Sequence, residues 1–254
     1  MNKLDLTLAS LLLVSLAACA DTTDAEDTQD TQDSVDMQQE AFALKAPSCV
    51  LTTVNLNTAA PFAVLAGSTV TNTGATKVTG DLGVSPGTAL TGFGPGTVVG
   101  TIHLGDPTAA TAEADLTTAY NDAAGRTLCP VSISGNLGGL TLAPGLYKST
   151  SGLAISSGDL TLDAKGNANA VFIFQMASTL STSAGRKMIL KNGAKASNVF
   201  WQVGSSATIG TTSVFKGNIM AYQAITLNTG ATLEGRALAR VAAVALDTNT
   251  VTRP

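Results

Sequence analysis

The sequence is poor in the side chains that most active sites and metal sites use. Of its 254 residues only 13% are charged and 4% are aromatic, and it has one histidine and three cysteines. So few scattered ligands cannot complete a zinc site, and we expect no metal and no other cofactor. His103, the single histidine, lies in a glycine-rich stretch with no acid beside it and is interpreted as a solvated loop residue.

Concentrated positive charge is also missing. The formal net charge is −4, with eight acids and no base in residues 20–40 but 13 scattered bases and nine acids after residue 40. Nucleic-acid binding needs lysine and arginine gathered on one face, so we do not expect it. Of the acids Asp159, Asp163, Glu234 and Asp247, only Asp163 and Asp247 share a position in the repeat described below, and they belong to distant repeats. The chain is therefore not expected to be an enzyme.

No apolar run is long enough to span a membrane as a helix. Residues 6–18 follow Lys3 and are apolar but too short, so residues 1–18 are interpreted as a secretory signal peptide. The sequence LAAC at 16–19 resembles the bacterial lipobox, which implies that Cys19 is lipidated and anchors the exported protein to the cell envelope, at the outer membrane or cell surface. The alternative is an ordinary signal peptide and a secreted protein.

The segment 19–47 has almost no apolar residues after its cysteine and contains the repeat DTQDTQD. Such a composition cannot bury enough surface to offset the entropy cost of ordering, so we predict a disordered acidic tether. The folded domain is predicted to occupy residues 48–254.

Similar sequences recur at a regular spacing in the last third of the chain. GNIMAYQAITLNT begins at Gly217, and GRALARVAAVALDT begins at Gly235 and matches it 18 to 19 residues later. Upstream, FQMASTLST at 174–182 is similar to WQVGSSATIGT at 201–211 with two residues inserted. This spacing is typical of a solenoid, in which each coil buries its apolar face only against its neighbours.

Each coil divides into three short strands. Runs such as ITLN at 225–228 alternate apolar and small polar residues, which indicates strands rather than helices. We assign AVFIFQM, NVFWQV, NIMAYQ and RALARV to a first face, DLTLD, STLST, ATIGT, AITLNT and AVALDT to a second, and SVFKG and ATLEG to a third. The predicted fold is mostly β, an irregular three-faced parallel β-solenoid (β-helix).

One long α-helix is predicted at 107–124. Asp106 is a good N-cap, Pro107 suits the first helical position, and Gly125 with Arg126 closes the helix. One stripe of the helix is apolar, consisting of Ala112, Leu116, Ala119, Tyr120 and Ala123. We expect this stripe to pack along the solenoid axis and cover the first face.

Two cysteines remain after Cys19. Cys49 precedes the predicted domain and Cys129 follows the predicted helix. In an oxidising compartment such a pair can form a disulfide, and two buried thiols are the alternative. The spacing does not decide between them.

Several phrases occur together and in order: FAVLAGSTVTNTG, GDLGVSPG, GLYKSTSG, NAVFIFQ, NVFWQVGSSATIGT, ITLNTGAT and GRALA. Together they resemble the bacterial and fungal ice-binding protein family over residues 49–251. The resemblance implies an irregular β-solenoid with a long helix alongside. It also implies that the binding partner is ice or ordered water. We expect the protein to be a monomer.

Members of that family carry a Thr-Ala/Gly-X-Thr/Asn motif on a flat face. The sequence matches this motif with TGAT at 73–76 and at 229–232, whereas TIGT at 208–211 and NGAK at 192–195 depart from it. Threonine combines a hydroxyl and a methyl on a side chain with a stiff χ1, so a regular array can hold ordered water. The candidate ice-binding residues are Thr73, Thr76, Thr179, Thr182, Thr208, Thr211, Thr226, Thr229, Thr232, Thr248 and Thr250.

Two functions remain open at this point. The first is ice binding through a flat threonine-rich face, which would inhibit ice growth or recrystallisation or attach the cell to ice. The alternative is a cell-surface structural or adhesive β-solenoid module that binds glycans or other cells without ice affinity, since threonine suits any exposed parallel sheet.

Overall fold

The computed structural model describes residues 49–254. The predictions for the signal peptide, for Cys19 and for the tether at 19–47 lie outside the described residues. Between residues 49 and 254, no helix is long and apolar enough to cross a membrane.

The described part contains 23 short strands and one α-helix, α1 (Pro107–Gly125). The strands before the helix are β1 (Phe62–Ala66), β2 (Thr69–Thr73), β3 (Lys77–Thr79), β4 (Asp81–Val84), β5 (Ala89–Thr91), β6 (Thr97–Val99) and β7 (Ile102–Leu104). The strands after it are β8 (Val131–Ser132), β9 (Gly135–Asn136), β10 (Thr141–Leu142), β11 (Gly145–Ser149), β12 (Leu153–Ile155), β13 (Leu160–Asp163), β14 (Phe172–Met176), β15 (Leu180–Thr182), β16 (Met188–Lys191), β17 (Val199–Val203), β18 (Ala207–Ile209), β19 (Val214–Ala221), β20 (Ile225–Leu227), β21 (Thr232–Ala239), β22 (Val244–Asp247) and β23 (Thr250–Thr252). Two short 3-10 turns lie at Asn57–Ala59 and Ala196–Asn198.

All paired strands are parallel and form three faces of a solenoid, as predicted. Face A contains β8, β11, β14, β17, the second halves of β19 and β21, β1, β4 and β7. Face B contains β9, β12, β15, β18, β20, β22, β2 and β5, in that order. Face C contains β10, β13 and β16, then the first halves of β19 and β21, then β23, β3 and β6.

The assignment of DLTLD (159–163) to the second face was wrong. Strand β13 pairs with β10 and β16 on face C, with Leu160 opposite Met188 and Asp163 opposite Lys191. A run of alternating residues defines a strand but not the wall to which it belongs, because the corners between strands differ in length from coil to coil.

Four aromatic residues form one column inside the solenoid. Tyr147, Phe174 and Trp201 are register partners in β11, β14 and β17. The Phe174 and Trp201 rings stack with centroids 4.0 Å apart, and Phe215 packs on Trp201 with centroids 5.2 Å apart. Aromatic stacking of this kind adds to the burial of apolar area and stabilises the coils on the side of the helix.

Helix α1 covers face A, and its predicted stripe is the buried stripe. It packs on outward-facing residues of face A that include Ile173, Phe200, Met220 and Leu238. The Asp106 carboxylate accepts a hydrogen bond from the Ala109 N–H at 2.8 Å, as expected for an N-cap. At the other end, the buried Gln175 donates to the Ala123 carbonyl at 2.7 Å and so satisfies part of the helix C-terminus.

The coils do not stack in the order in which the chain makes them. From β7 the helix carries the chain to β8 at the opposite end, and later coils stack back toward the start. Strand β21 then pairs with β1, β22 pairs with β2, and β23 pairs with β3. The coils of residues 62–104 therefore rest on the last coil of the chain.

Cys49 and Cys129 are joined by a disulfide with a Cα–Cα distance of 5.8 Å and a sequence separation of 80. It attaches the start of the described chain to the segment that follows α1. Because the crosslink restricts a long loop of the unfolded chain, we expect its removal to lower the free energy of unfolding by about 2 to 4 kcal/mol.

Denaturant unfolding of the wild type with and without reductant, and of the variant Cys49→Ser/Cys129→Ser, measures this contribution. Reductant should destabilise the wild type to the level of the double variant and should not affect the variant. Equal stability of the oxidised wild type and the variant would contradict the prediction.

Candidate functional site

The three faces present different surfaces to solvent. Face A is covered by α1. Face C carries long charged side chains, among them Lys187, Lys191, Lys77, and an ion pair between Lys216 and Glu234. Face B has no helix packed on it, and Asp247 is the one charged residue in its eight described strands.

The centre of face B is a single column of small side chains in strict register. One residue from each of eight successive coils points outward, in the order Asn136, Ala154, Ser181, Thr208, Thr226, Ala245, Thr71 and Thr91. Neighbouring strands lie about 4.8 Å apart, so the column is a regular row along the axis.

The residues two positions before this column are also small. Thr69 in β2 is the register partner of Ala89 in β5. The other members are Ser134, Gly152, Thr179, Ser206, Ala224 and Ala243. With no long side chain in either row, face B is flat on the scale of a methyl group.

Buried apolar side chains on the inner side hold this face. In β20 and β22, the residues on either side of the column are Ile225, Leu227, Val244 and Leu246, and each is at most 3% exposed. The strands of this parallel ladder rest on a close-packed core and cannot easily shift. The outward side chains therefore keep nearly constant positions relative to each other. Face B is therefore a rigid surface.

Asp247, at the end of β22, interacts with threonines at the corner between faces B and C. Its carboxylate accepts hydrogen bonds from the hydroxyls of Thr229 and Thr248. The charge thus lies at the margin of face B and is partly satisfied there. The corner and the face form one continuous polar, largely uncharged surface.

The threonines predicted from the sequence lie in four environments. Thr208 and Thr226 belong to the central column, and Thr73 and Thr179 lie at its two margins. Thr211, Thr229 and Thr248 are exposed at the corner between faces B and C, whereas Thr232 and Thr250 lie on face C. Thr76 and Thr182 are buried, with 1% and 8% of their surface exposed.

The two buried threonines lie inside the fold and are not presented on any face. The Thr76 hydroxyl accepts a hydrogen bond from the Asn249 N–H at 3.1 Å. The Thr182 hydroxyl accepts from the Gly210 N–H at 2.7 Å and donates to Ser213. Both residues satisfy buried polar groups of the corner, which is a structural role.

The sequence matches a family model described as Ice-binding-like over residues 64–252. The chain belongs to the Ice-binding-like family. An ice-binding protein of Nostoc sp. (strain HG1) is 50% identical over 199 residues, which cover 77% of this chain and 72% of the relative. An ice-binding protein of Flavobacterium frigoris (strain PS1) is 44% identical over 57% of this chain and 51% of its own length, so the match spans about half of that relative.

Solved structures of Ice-binding-like proteins have the same fold. An ice-binding protein from an Antarctic biological consortium has a TM-score of 0.79 and 60% identity, with 80% of this chain and 92% of that chain covered. The ice-binding protein of the Antarctic ascomycete Antarctomyces psychrotrophicus has a TM-score of 0.75 and 45% identity, with coverages of 79% and 98%.

Sequence reasoning missed part of the flat face of this Ice-binding-like chain. Thr69, Thr71 and Thr91 all lie on it, and none was a candidate. The signal was present in β2, whose sequence TVTNT places a threonine at every second residue from Thr69 to Thr73. A spacing of two along a strand places Thr69, Thr71 and Thr73 on one face of the sheet.

The prediction that Asp163 and Asp247 share a position in the repeat was wrong, because Asp163 ends β13 on face C and Asp247 ends β22 on face B. The surroundings of His103 also differ from the prediction. His103 lies in β7 with its Nδ1 2.7 Å from Asp106 Oδ2, so the expectation of a histidine with no acid beside it was wrong. Hydrogen bonds from the Ala109 N–H and from His103 lower the pKa of Asp106. The Lys165 N–H, the Asn192 amide and the Lys165 ammonium lower the pKa of Asp163 on face C to about 2.

Proposed function

We propose that this protein binds ice through face B. The observation that carries the proposal is the uncovered central column of small, uncharged side chains in register, with Thr208, Thr226, Thr71 and Thr91 in it. Face A is covered, and face C is interrupted by lysine and glutamate side chains. Within residues 49–254, only face B offers a flat repeating surface of hydroxyl and methyl groups.

The chemistry of the face is the ordering of water. Each threonine hydroxyl can donate and accept hydrogen bonds, while its methyl group limits where neighbouring water can lie. Threonine has few χ1 choices, so hydroxyls on adjacent coils keep the repeat of the ladder. Water held at this repeat can join a growing crystal surface, and the protein then stays adsorbed and stops growth around it.

The alternative of a glycan-binding or adhesive module is less well supported. Glycan sites generally combine a concave surface with exposed aromatic and polar groups. The described strands of face B contain no aromatic residue, and Asp247 is their one acid. No reaction is proposed either, because the pairs His103–Asp106 and Asp163–Lys165 lie apart from each other and from face B.

We also propose that the protein is exported, lipidated at Cys19 and held by the acidic segment 19–47, and that it acts as a monomer. The described chain begins at Cys49, beside Pro144 and Asn169 at the corner between faces C and A. In a three-sided solenoid that corner lies opposite face B. A tether leaving from it would keep face B free to meet ice.

An ice-affinity experiment tests the central proposal. The purified protein is frozen slowly onto a cooled metal finger, and its concentration in the ice fraction is compared with that in the remaining liquid. We expect enrichment in the ice, together with inhibition of recrystallisation. Exclusion from the ice at the level of an inert globular protein would refute ice binding and revive the adhesive alternative.

A further inference from the structure

The chain divides into two parts of opposite charge. Residues 20–40 contain eight acids and no base, whereas residues 49–254 contain 12 bases and nine acids. Three of these bases are exposed around β16, on face C and at its corner with face A: Lys187, Lys191 and Lys195. We call these three residues the basic patch.

The basic patch is not neutralised by the acids beside it. Asp163 lies 3.0 Å from the ammonium of Lys165, and Asp159 lies 3.9 Å from the guanidinium of Arg186. Within residues 49–254, no lysine of the basic patch has an ion-pair partner. The patch is therefore an exposed surface of positive charge, which attracts a flexible polyanion at low ionic strength.

The basic patch lies beside the first residue of the described chain. Cys49 lines a pocket together with the loop of residues 167–169. A Cβ placed on Gly193 would lie 3.6 Å from the backbone of that loop, and Lys191 and Lys195 are each two residues from Gly193. A segment attached to the N-terminal side of Cys49 therefore starts next to the patch.

The acidic segment 20–40 is attached within reach of the basic patch. Glu40 precedes Cys49 by nine residues, and a flexible segment of that length spans about 17 Å on average. The patch itself measures about 13 Å from Lys187 to Lys191, the length of four residues of an extended strand. Attachment to the same chain gives the acids an effective concentration on the order of millimolar at the patch, so individually weak contacts add up.

We propose that the acidic segment 20–40 binds the basic patch on face C of its own chain. The contact is electrostatic, and the carboxylates of the segment exchange among the three ammonium groups without one fixed geometry. The bound segment lies on face C and leaves face B uncovered. This contact is independent of ice binding, because it involves no residue of face B.

Lysine acetylation of the full chain, measured at each lysine by mass spectrometry, tests the contact. The wild type is compared with a neutral variant that carries Asp21→Asn, Asp24→Asn, Glu26→Gln, Asp27→Asn, Asp30→Asn, Asp33→Asn, Asp36→Asn and Glu40→Gln. At about 0.01 M salt, where the Debye length is about 30 Å, the basic patch should be acetylated about threefold or more slowly in the wild type. At about 1 M salt, where the Debye length is about 3 Å, the rates of the two proteins should agree.

Lys148 is the internal control. It is exposed on face A in β11, whose first residue, Gly145, lines the same pocket as Cys49. Lys148 thus also lies near the start of the described chain but on another face, and its rate should be the same in both proteins. Equal slowing of Lys148 and the patch would reveal only the general field of the acids and would overturn the binding.

Equal rates at the patch in both proteins would also overturn the binding. If vesicles of phosphatidylglycerol then slowed acetylation of the patch in both proteins, face C would be a surface for anionic lipid instead.

The dependence of molecular size on salt gives a second readout, with opposite signs for the two cases. A free acidic segment repels itself and contracts when salt screens its charges, whereas a bound segment is released by salt and the molecule expands. The radius of gyration from X-ray scattering should therefore rise with salt in the wild type and fall in Lys187→Gln/Lys191→Gln/Lys195→Gln. A wild-type radius that falls as in this variant would overturn the proposal.

Discussion

Replacing Thr226 with tyrosine is expected to abolish ice binding while leaving the solenoid folded. Thr226 is the register partner of Thr208 on one side and of Ala245 on the other, at the middle of the central column of face B. A phenol ring there would stand above a surface otherwise built of small side chains and keep the crystal away from several coils. We expect thermal hysteresis and recrystallisation inhibition at equal protein concentration to fall at least tenfold.

The control substitution is Thr250→Tyr on face C. Thr250 is an exposed threonine with the register partners Thr232 and Lys77, so the same ring is added to a different face of the solenoid. This variant should retain wild-type ice activity, and both variants should keep the circular dichroism of the wild type. Loss of activity in Thr250→Tyr with retention in Thr226→Tyr would move the site to face C.

The stability of the protein is expected to fall as the pH rises from about 4.5 to 8, because of a buried acid on α1. Glu113 is 8% exposed, and neither of its carboxylate oxygens has a hydrogen-bond partner among the described residues. Burial raises its pKa to about 8, although the charge of Arg240 opposes the shift. The native state therefore holds a proton that the unfolded chain has released, and up to about 5 kcal/mol of stability is lost over this range.

Glu113→Gln should remove most of this pH dependence, since the amide is close in size and does not ionise. Urea unfolding between pH 5 and 9 should give a nearly constant free energy for the variant and a falling one for the wild type, with the variant more stable at pH 8. Glu234→Gln, which changes an exposed acid of face C, should behave as the wild type. An equally steep decline in Glu113→Gln would contradict the assignment.

The fold could be predicted because its signals are local and repeated. Asp106 and Pro107 begin the helix at the predicted residue, and it ends at Gly125, one residue later than predicted. All five residues of the apolar stripe are buried. Glu113 was not foreseen in that interface, because composition places glutamate at the surface unless the tertiary structure forces it inside.

The composition of the site could be predicted better than its exact positions. The pentapeptide NTGAT occurs at 72–76 and at 228–232. Asn72 and Leu227 are both register partners of Leu246, so Asn72 takes the place of Leu227 in the coil and not that of Asn228. Val70 and Ile225 occupy the same place in their coils, so the phrase begins two residues after that place in the first copy and three residues after it in the second. A shift of one turns a strand residue to the other side. Thr76 is consequently buried although the identical phrase ends in the half-exposed Thr232.

The pairing of β1 with β21 sets the order in which the molecule can be completed. During synthesis, the coils of residues 62–104 leave the ribosome more than a hundred residues before the coil on which they rest. A coil without neighbours cannot bury its apolar side, so these first coils have to wait for residues 232–252. The solenoid is thus closed by the coil of residues 232–252 rather than elongated by it, and its first coils can complete their packing only after that segment has been made.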